Sequence, residues 1–278
     1  MAKVWLITGA SSGLGEALSR AVIARGDSVV ATFRKDDASR AFTEANPGTG
    51  LGVVMDVTSE EQVRAAVQAA VSRFGTIDVL VNNAGYGTIG AVEEFSMTEI
   101  RAQMETNFFG AMAVTKEVIP LMRQAGAGHI LQISSSAGFR GMAGFGVYNA
   151  SKFALEGFSE ALSLELAPFG IRVTIVEPGP FRTKFAGSSI RLAESRLGEY
   201  EKTPVAQMYR YIQTVDGKQE GDPEKGARAM VDYVHDGRTA LRLPLGKAPL
   251  QAIRAKLSQV EADLKANEEI ALSVVFEE

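Results

Sequence analysis

Seven short runs rich in β-branched and apolar residues punctuate this chain, each separated from the next by a longer amphipathic stretch. They are Val4–Thr8, Val29–Phe33, Gly52–Met55, Val79–Asn82, His129–Ser134, Arg172–Glu177 and Leu241–Leu245. Most are apolar throughout rather than alternating. Strands read that way when helices cover both faces of a parallel sheet, because neither face then meets water. Glu16–Arg25, Ser59–Phe74, Thr98–Arg123, Tyr148–Phe169 and Pro223–Asp236 carry the intervening helices, with Ser59 and Glu61-Gln62 marking a capped start and Gly170 a stop. Strand-helix alternation with right-handed crossovers predicts an α/β fold: one doubly wound parallel sheet of about seven strands, order 3-2-1-4-5-6-7, with helices on both faces.

A chain of 278 residues fits one such sheet, so residues 1–278 are read as a single domain. Two regions fall outside the rhythm. Residues 180–221 are long for a connection in a compact domain, which predicts a substrate lid with some helix of its own. After the last strand, Ile253, Leu257, Val260 and Leu264 recur at helical spacing, predicting a C-terminal helical extension over about residues 247–270 that packs on its own subunit or meets another.

The glycine-rich segment Thr8-Gly9-Ala10-Ser11-Ser12-Gly13-Leu14-Gly15 follows the first strand and opens the first helix. Glycines there permit a tight turn and let backbone N–H groups approach a pyrophosphate at a helix N-terminus, the arrangement of a Rossmann-type dinucleotide site. The second strand ends in Phe33-Arg34-Lys35, where a reader of NAD(H) would carry an acid for the ribose hydroxyls. Phe33 cannot do that, whereas the Arg34 guanidinium suits the extra 2′-phosphate, so NADP(H) is expected over NAD(H). Asp56 and Val57 after the third strand and Asn82-Asn83-Ala84-Gly85 after the fourth sit at the carboxyl edge where such sheets bind ligands, Asp56 either reading adenine or forming a turn.

Tyr148 and Lys152 are four apart at the start of a helix, so they share one face. A phenol of pKa ~10 is a poor base at neutral pH, but a neighbouring ammonium favours its ionised form, and the pair suits a group that gives or takes a proton as hydride moves. Gly9, Gly13 and Gly15, Asn82-Asn83-Ala84-Gly85, Asn107, Ser135, Tyr148 with Lys152, and Pro178-Gly179 occur in an order and spacing that resemble the short-chain dehydrogenase/reductase family over about residues 3–245. The resemblance implies an NAD(P)-dependent oxidoreductase with Tyr148 as general acid/base. Ser135 would bond the substrate oxygen; Ser134 and Ser136 flank it, and spacing to Tyr148 selects the middle one. It further implies that Lys152 holds the nicotinamide ribose and Asn107 anchors a water relay, while Pro178, Gly179 and Thr183 meet the nicotinamide end. Gln132 departs from the pattern, standing where many members carry Asn.

Phe139, Met142, Phe145, Phe181, Phe185, Met208 and Tyr209 predict an apolar substrate pocket for a ketone, aldehyde or alcohol, a likeness to the hydroxysteroid and retinol dehydrogenase branch. Two rivals stand beside this reading. One is a dinucleotide-binding regulator without catalysis. The other is a serine hydrolase, since Gly9-Ala10-Ser11-Ser12-Gly13 matches a nucleophile elbow; it would need an acid and a histidine later in the chain, and its elbow would not normally follow the first strand of the sheet. A net charge of -4 without any basic run argues against nucleic acid, and no cysteine or clustered histidine offers a metal site. His129 and His235 are read as surface or strand-edge residues. With no apolar run near the ~20 residues of a membrane span, the chain is expected in the cytoplasm, as a homodimer or homotetramer formed through helices after the fourth and fifth strands.

Overall fold

The computed structural model describes residues 2–187 and 189–276. Nine strands and ten α-helices alternate among them. In chain order they are β1 (Val4–Ile7), α1 (Gly13–Ala24), β2 (Ser28–Phe33), α2 (Asp36–Ala45), β3 (Gly50–Val54), α3 (Glu60–Phe74), β4 (Val79–Asn82), β5 (Gly87–Ile89), α4 (Met97–Met104) and α5 (Gly110–Ala125). There follow β6 (Gly128–Ile133), α6 (Gly146–Leu166), β7 (Ile171–Pro178), β8 (Ile190–Leu192), α7 (Pro204–Val215), α8 (Pro223–His235), β9 (Arg242–Leu245), α9 (Lys247–Ala266) and α10 (Glu268–Leu272).

Seven strands form one parallel sheet in the order β3-β2-β1-β4-β6-β7-β9. This is the expected doubly wound order, with labels displaced because β5 and β8 pair separately, Gly87 opposite Ile190 and Ile89 opposite Leu192. Successive side chains of each strand enter opposite layers. Trp5 and Ile7 of β1 pack with Leu18, Val22, Met230 and Val231 of α1 and α8. Leu6 between them packs with Val63, Val114, Met122 and Leu162 of α3, α5 and α6. Both layers are apolar, so the strands show no polar face.

Local signals place most helix ends. Ser59 accepts from the Gln62 N–H at the start of α3, and Gly75 closes that helix with φ 81°. Such a serine cap contributes about 1 kcal/mol. Two features differ from expectation. The segment read as one helix over Thr98–Arg123 is α4 and α5 joined through a π-helical turn, Glu105–Phe109, that carries Asn107; a π turn inserts a residue without breaking the rod, so periodicity conceals it. Helix α2 is absent from the expected set although Ala38, Ala41, Phe42 and Ala45 fall at helical spacing, a stripe made mostly of alanine; tertiary contact anchors it: the Phe42 ring centre lies 5.5 Å from that of Phe33, and a Cβ on Gly52 would stand 2.0 Å from the Ser39 carbonyl oxygen.

Residues 180–221 close on themselves: Phe181 bridges Gly221, and Gly221 N–H donates to the Pro180 carbonyl. Between those ends lie β8 and α7. Helix α9 forms as expected, but from Leu257 onward every described residue is exposed.

The histidines are not surface residues. His235 Nε2 meets Asp27 Oδ2 at 2.6 Å, and that buried carboxylate also accepts from Trp5 Nε1 and Lys3 N. His129 is 2% exposed within β6, its Nε2 2.8 Å from Thr174 Oγ1. Burial, reinforced by the charges of Arg172 and Lys3, pushes its pKa down to about 3. Unfolding frees the ring to take a proton near its ordinary 6.5, so the unfolded chain binds more protons between those values and stability falls as pH drops below about 6.5. His129→Gln should flatten that fall by up to about 1.4 kcal/mol per pH unit. Urea midpoints from pH 4 to 7 check this; parallel curves for both chains would count against it.

Candidate functional site

The order of strands reverses between β1 and β4, which opens a crevice at their carboxyl ends. Here β1 must turn within a few residues into α1. Gly9 (φ 69°) and Gly13 (φ 62°) take left-handed backbone conformations that side chains disfavour. A Cβ at Gly9 would stand 2.9 Å from the Ala84 Cα, and one at Gly15 only 2.5 Å from Asn83 Nδ2. Thr8 Oγ1 accepts the N–H groups of both Asn83 and Ala84 at 2.9 Å, while Asn83 Nδ2 donates to the carbonyls of Thr8 and Gly9. The two strand ends are thus laced together. Thr8 was not singled out from the sequence, although a hydroxyl one residue before the glycine turn is the available signal.

A cavity of about 1100 Å³ opens over this turn. Gly9, Ser11, Ser12, Gly13, Leu14, Arg34, Asp56, Val57, Asn83, Ala84 and Gly85 line one end, and Ser135, Tyr148, Lys152, Pro178, Gly179 and Thr183 the other. Among the catalytic and cofactor residues expected from the sequence, Gly15, Asn82 and Asn107 do not line it. Ser12 is the N-cap residue of α1, with no side-chain cap bond, which leaves first-turn N–H groups available to an anion. Asp56 Oδ1 accepts from the N–H and hydroxyl of Thr58, so it builds the turn it was read as an alternative for. Arg34 is exposed at the rim. Glycines that no side chain can replace, uncapped amides and a rim guanidinium together fit the two phosphates and ribose of a dinucleotide.

Helix α6 carries Tyr148 and Lys152 one turn apart, both 6% exposed. Lys152 Nζ donates to the Ile133 carbonyl at 2.7 Å and lies 6.0 Å from the centre of the Tyr148 ring. Phe145 and Phe185 flank that ring at 5.5 and 5.8 Å. Burial pushes the phenol up to about 12, with the Ser135 hydroxyl acting in the opposite direction. Burial also brings Lys152 down to about 8, against the charge of Glu156. The expectation that Lys152 lowers the Tyr148 pKa is therefore corrected: burial sets the direction, and the ammonium, 6.0 Å from the ring centre, does not bring the phenol below its ordinary value.

Among the three serines, Ser135 is the one beside the phenol. Ser134 is buried against Glu156: a Cβ on Gly138 would meet Ser134 Oγ at 2.5 Å and Glu156 Cγ at 2.9 Å. Asn107 Oδ1 accepts from Tyr86 N–H, and its Nδ2 donates to the Tyr86 carbonyl and Ser151 Oγ. Gln132 is buried and bonds Asn82 and Thr115, so its departure from the family pattern supports neighbouring strands.

Met142, Phe145, Phe181, Phe185 and Met208 line the cavity, but two expected aromatics do not. Phe139 lies 4.9 Å beneath the Arg242 guanidinium, and Tyr209 donates to buried Glu94 at 3.0 Å. Apolar composition cannot tell a cavity wall from a core. Ser11 lines the cavity without either histidine, which removes the base that a hydrolase requires.

Behind Lys152, Arg242 binds Glu156, Glu160 and Glu177 together. Burial, then the Glu156 charge, raises Glu177 to about 7. Glu156→Gln removes the charge that supports the Lys152 ammonium, so the lysine should lose its proton at a lower pH. Nitrogen-labelled lysine NMR reads that titration directly, and an unmoved Lys152 would show that Glu156 is not felt there.

A family profile described as short chain dehydrogenase matches residues 3–192. Human retinol dehydrogenase 8 is 41% identical over 208 residues, spanning 71% of this chain and 64% of that protein. A short-chain dehydrogenase from Streptomyces avermitilis has a solved structure that superposes with a TM-score of 0.92 at 39% identity, covering 99% of this chain and all of that one. A short chain dehydrogenase/reductase from Burkholderia phymatum, solved in complex with NAD, superposes with a TM-score of 0.82 at 26% identity over 94% of this chain and 95% of its own.

Proposed function

Because the chain belongs to the short chain dehydrogenase family, we propose that it interconverts a hydrophobic ketone or aldehyde and its alcohol with NADP(H), Tyr148 serving as general acid and base. The observation that carries this reading is the convergence of Ser135, Tyr148, Lys152 and the glycine turn on one cavity. When bound, the nicotinamide supplies or takes up hydride.

In the reducing direction Tyr148 Oη gives its proton to the substrate oxygen while the carbonyl carbon gains hydride. A buried phenol with a pKa near 12 holds that proton at neutral pH. The phenolate left behind is stabilised by the Lys152 ammonium and the Ser135 hydroxyl. Ser135 also orients the substrate oxygen, and in oxidation each proton step runs in reverse. The hydrogen bonds of Asn107 support a positioning role. It holds Tyr86, and a Cβ at Gly85 would stand 3.0 Å from its Oδ1 and 3.8 Å from Lys152 Nζ, so any bulk there would disturb the lysine.

The apolar cavity wall and the likeness to retinol dehydrogenase 8 support an apolar substrate. Residues 180–221, which contribute Phe181, Phe185 and Met208 to that wall, act as its lid. Exposed Phe109, Phe153 and Leu164 on the π turn and α6 support assembly of copies through helices after β4 and β6. The cysteine-free composition suits a cytoplasmic location.

NADPH oxidation across a carbonyl panel tests the reading against a regulator that binds without turnover. Tyr148→Phe should lower kcat by about a thousandfold with cofactor binding retained. Equal rates would remove Tyr148 from the mechanism, and turnover of small charged oxo-acids in preference to apolar ketones would defeat the substrate class. Arg34→Ala should reduce kcat/KM with NADPH by about tenfold and leave NADH unaffected, reflecting a lost charge-assisted phosphate contact. A uniform effect on both cofactors would end the NADP assignment.

A further inference from the structure

Helix α9 leaves the body of the protein with one face at work and the other bare. Ala248, Gln251, Ala252 and Ala255 line the cavity. On the opposite side Leu250, Ile253, Leu257, Val260 and Leu264 follow one another at alternating steps of three and four residues. That spacing is the 3.5-residue repeat of a coiled-coil seam, with Leu250, Leu257 and Leu264 at a and Ile253 and Val260 at d. Leu257 is 54% exposed, Val260 38% and Leu264 63%, so among the described residues nothing of the same subunit covers the outer part of the seam, while Ile253 nearer the body is half-buried.

The charges beside the seam specify what covers it. Arg254 and Lys256 flank the first half at e and g, and Glu261 and Asp263 flank the second half at e and g. We propose that α9 pairs with α9 of a second copy of this chain as an antiparallel two-stranded coiled coil. Antiparallel packing sets a opposite d, so Ile253 meets Leu264 of the partner subunit and Leu257 meets the partner's Val260. In that one register e faces e and g faces g. Arg254 then stands opposite the partner's Glu261, and Lys256 opposite the partner's Asp263. Twofold symmetry repeats both pairs, and every flanking charge finds its opposite. A parallel pair would satisfy Lys256 with Glu261 but set Asp263 against Glu268, two like charges.

A lipid surface fits less well, because the seam is narrow and half of its border is acidic, whereas an interfacial helix presents a broad apolar face bordered by basic residues. The pairing also bears on the cavity: it clamps the helix whose other face forms part of the cavity wall, and it does so at a surface separate from α5 and α6.

The chain has no cysteine, so single introduced thiols report unambiguously. A mixture of Arg254→Cys and Glu261→Cys chains should cross-link through a short thiol reagent. Leu264→Cys alone should not, since the antiparallel register holds the two copies of that position about 16 Å apart along the axis. Adding Lys256→Glu to both chains of the mixture should lower the cross-linked yield about tenfold, and adding Asp263→Lys as well should restore it. All five positions lie outside the packed core, and circular dichroism confirms that each variant folds. Failure of the first mixture to cross-link, self-linking of Leu264→Cys, or a yield indifferent to the charge reversals would each overturn the proposal. Capture of the parent chain by phosphatidylserine vesicles without a cross-link would assign the seam to lipid instead.

Discussion

Everything at the carboxyl edge of the sheet depends on how β1 and β4 are tied where the strand order reverses. Thr8 Oγ1 receives two amides from the β4 end, and Asn83 returns its side-chain amide to two carbonyls of the β1 end. The lacing is possible only because Gly9 and Gly15 carry no Cβ. Backbone groups that a strand end would leave to water are satisfied by the Thr8 and Asn83 side chains, while the start of α1 carries no side-chain cap. The glycines are therefore a packing device, and Asn83 shapes the turn over which the cavity opens.

At the other end of the cavity the governing effect is desolvation. Tyr148 and Lys152 are both nearly buried, and burial disfavours the charged form of each, moving phenol and ammonium toward neutrality from opposite sides. What opposes it is local: Ser135 for the phenol, and Glu156 for the lysine. Glu156 is itself held among Arg242, Glu160 and Glu177, a cluster that reaches from α6 across β7 to β9. The ionisation of the chemical pair is coupled in this way to the far edge of the sheet. A buried carboxylate cluster with one guanidinium is weak evidence of stability; its position behind Lys152 gives it a use in holding charge.

Above the cavity, residues 180–221 and α9 supply walls that the sheet itself lacks. The first is pinned at its base by Phe181 and Gly221 and brings Phe185 against Tyr148. The second lines the cavity only through its early turns and is exposed from Leu257 onward. The cavity is thus walled in part by elements that the sheet supports least, while its floor is the rigid scaffold.

The alternation of apolar runs with amphipathic stretches determined the parallel sheet, and strand-end glycines with Tyr148 and Lys152 located the cavity at its carboxyl edge, because both are patterns in neighbouring residues. Such patterns reflect backbone geometry, which repeats every two or 3.6 residues. The tertiary structure alone decided which serine faces the phenol, that Asn107 sits in a π turn bonding Tyr86, and that Phe139 and Tyr209 turn away from the cavity. It also reversed the direction of the Tyr148 shift. Each of these depends on atoms brought together from distant parts of the chain, Phe185 against Tyr148 and Arg242 against Glu156, and the sum of such burials and charges has no counterpart in local spacing.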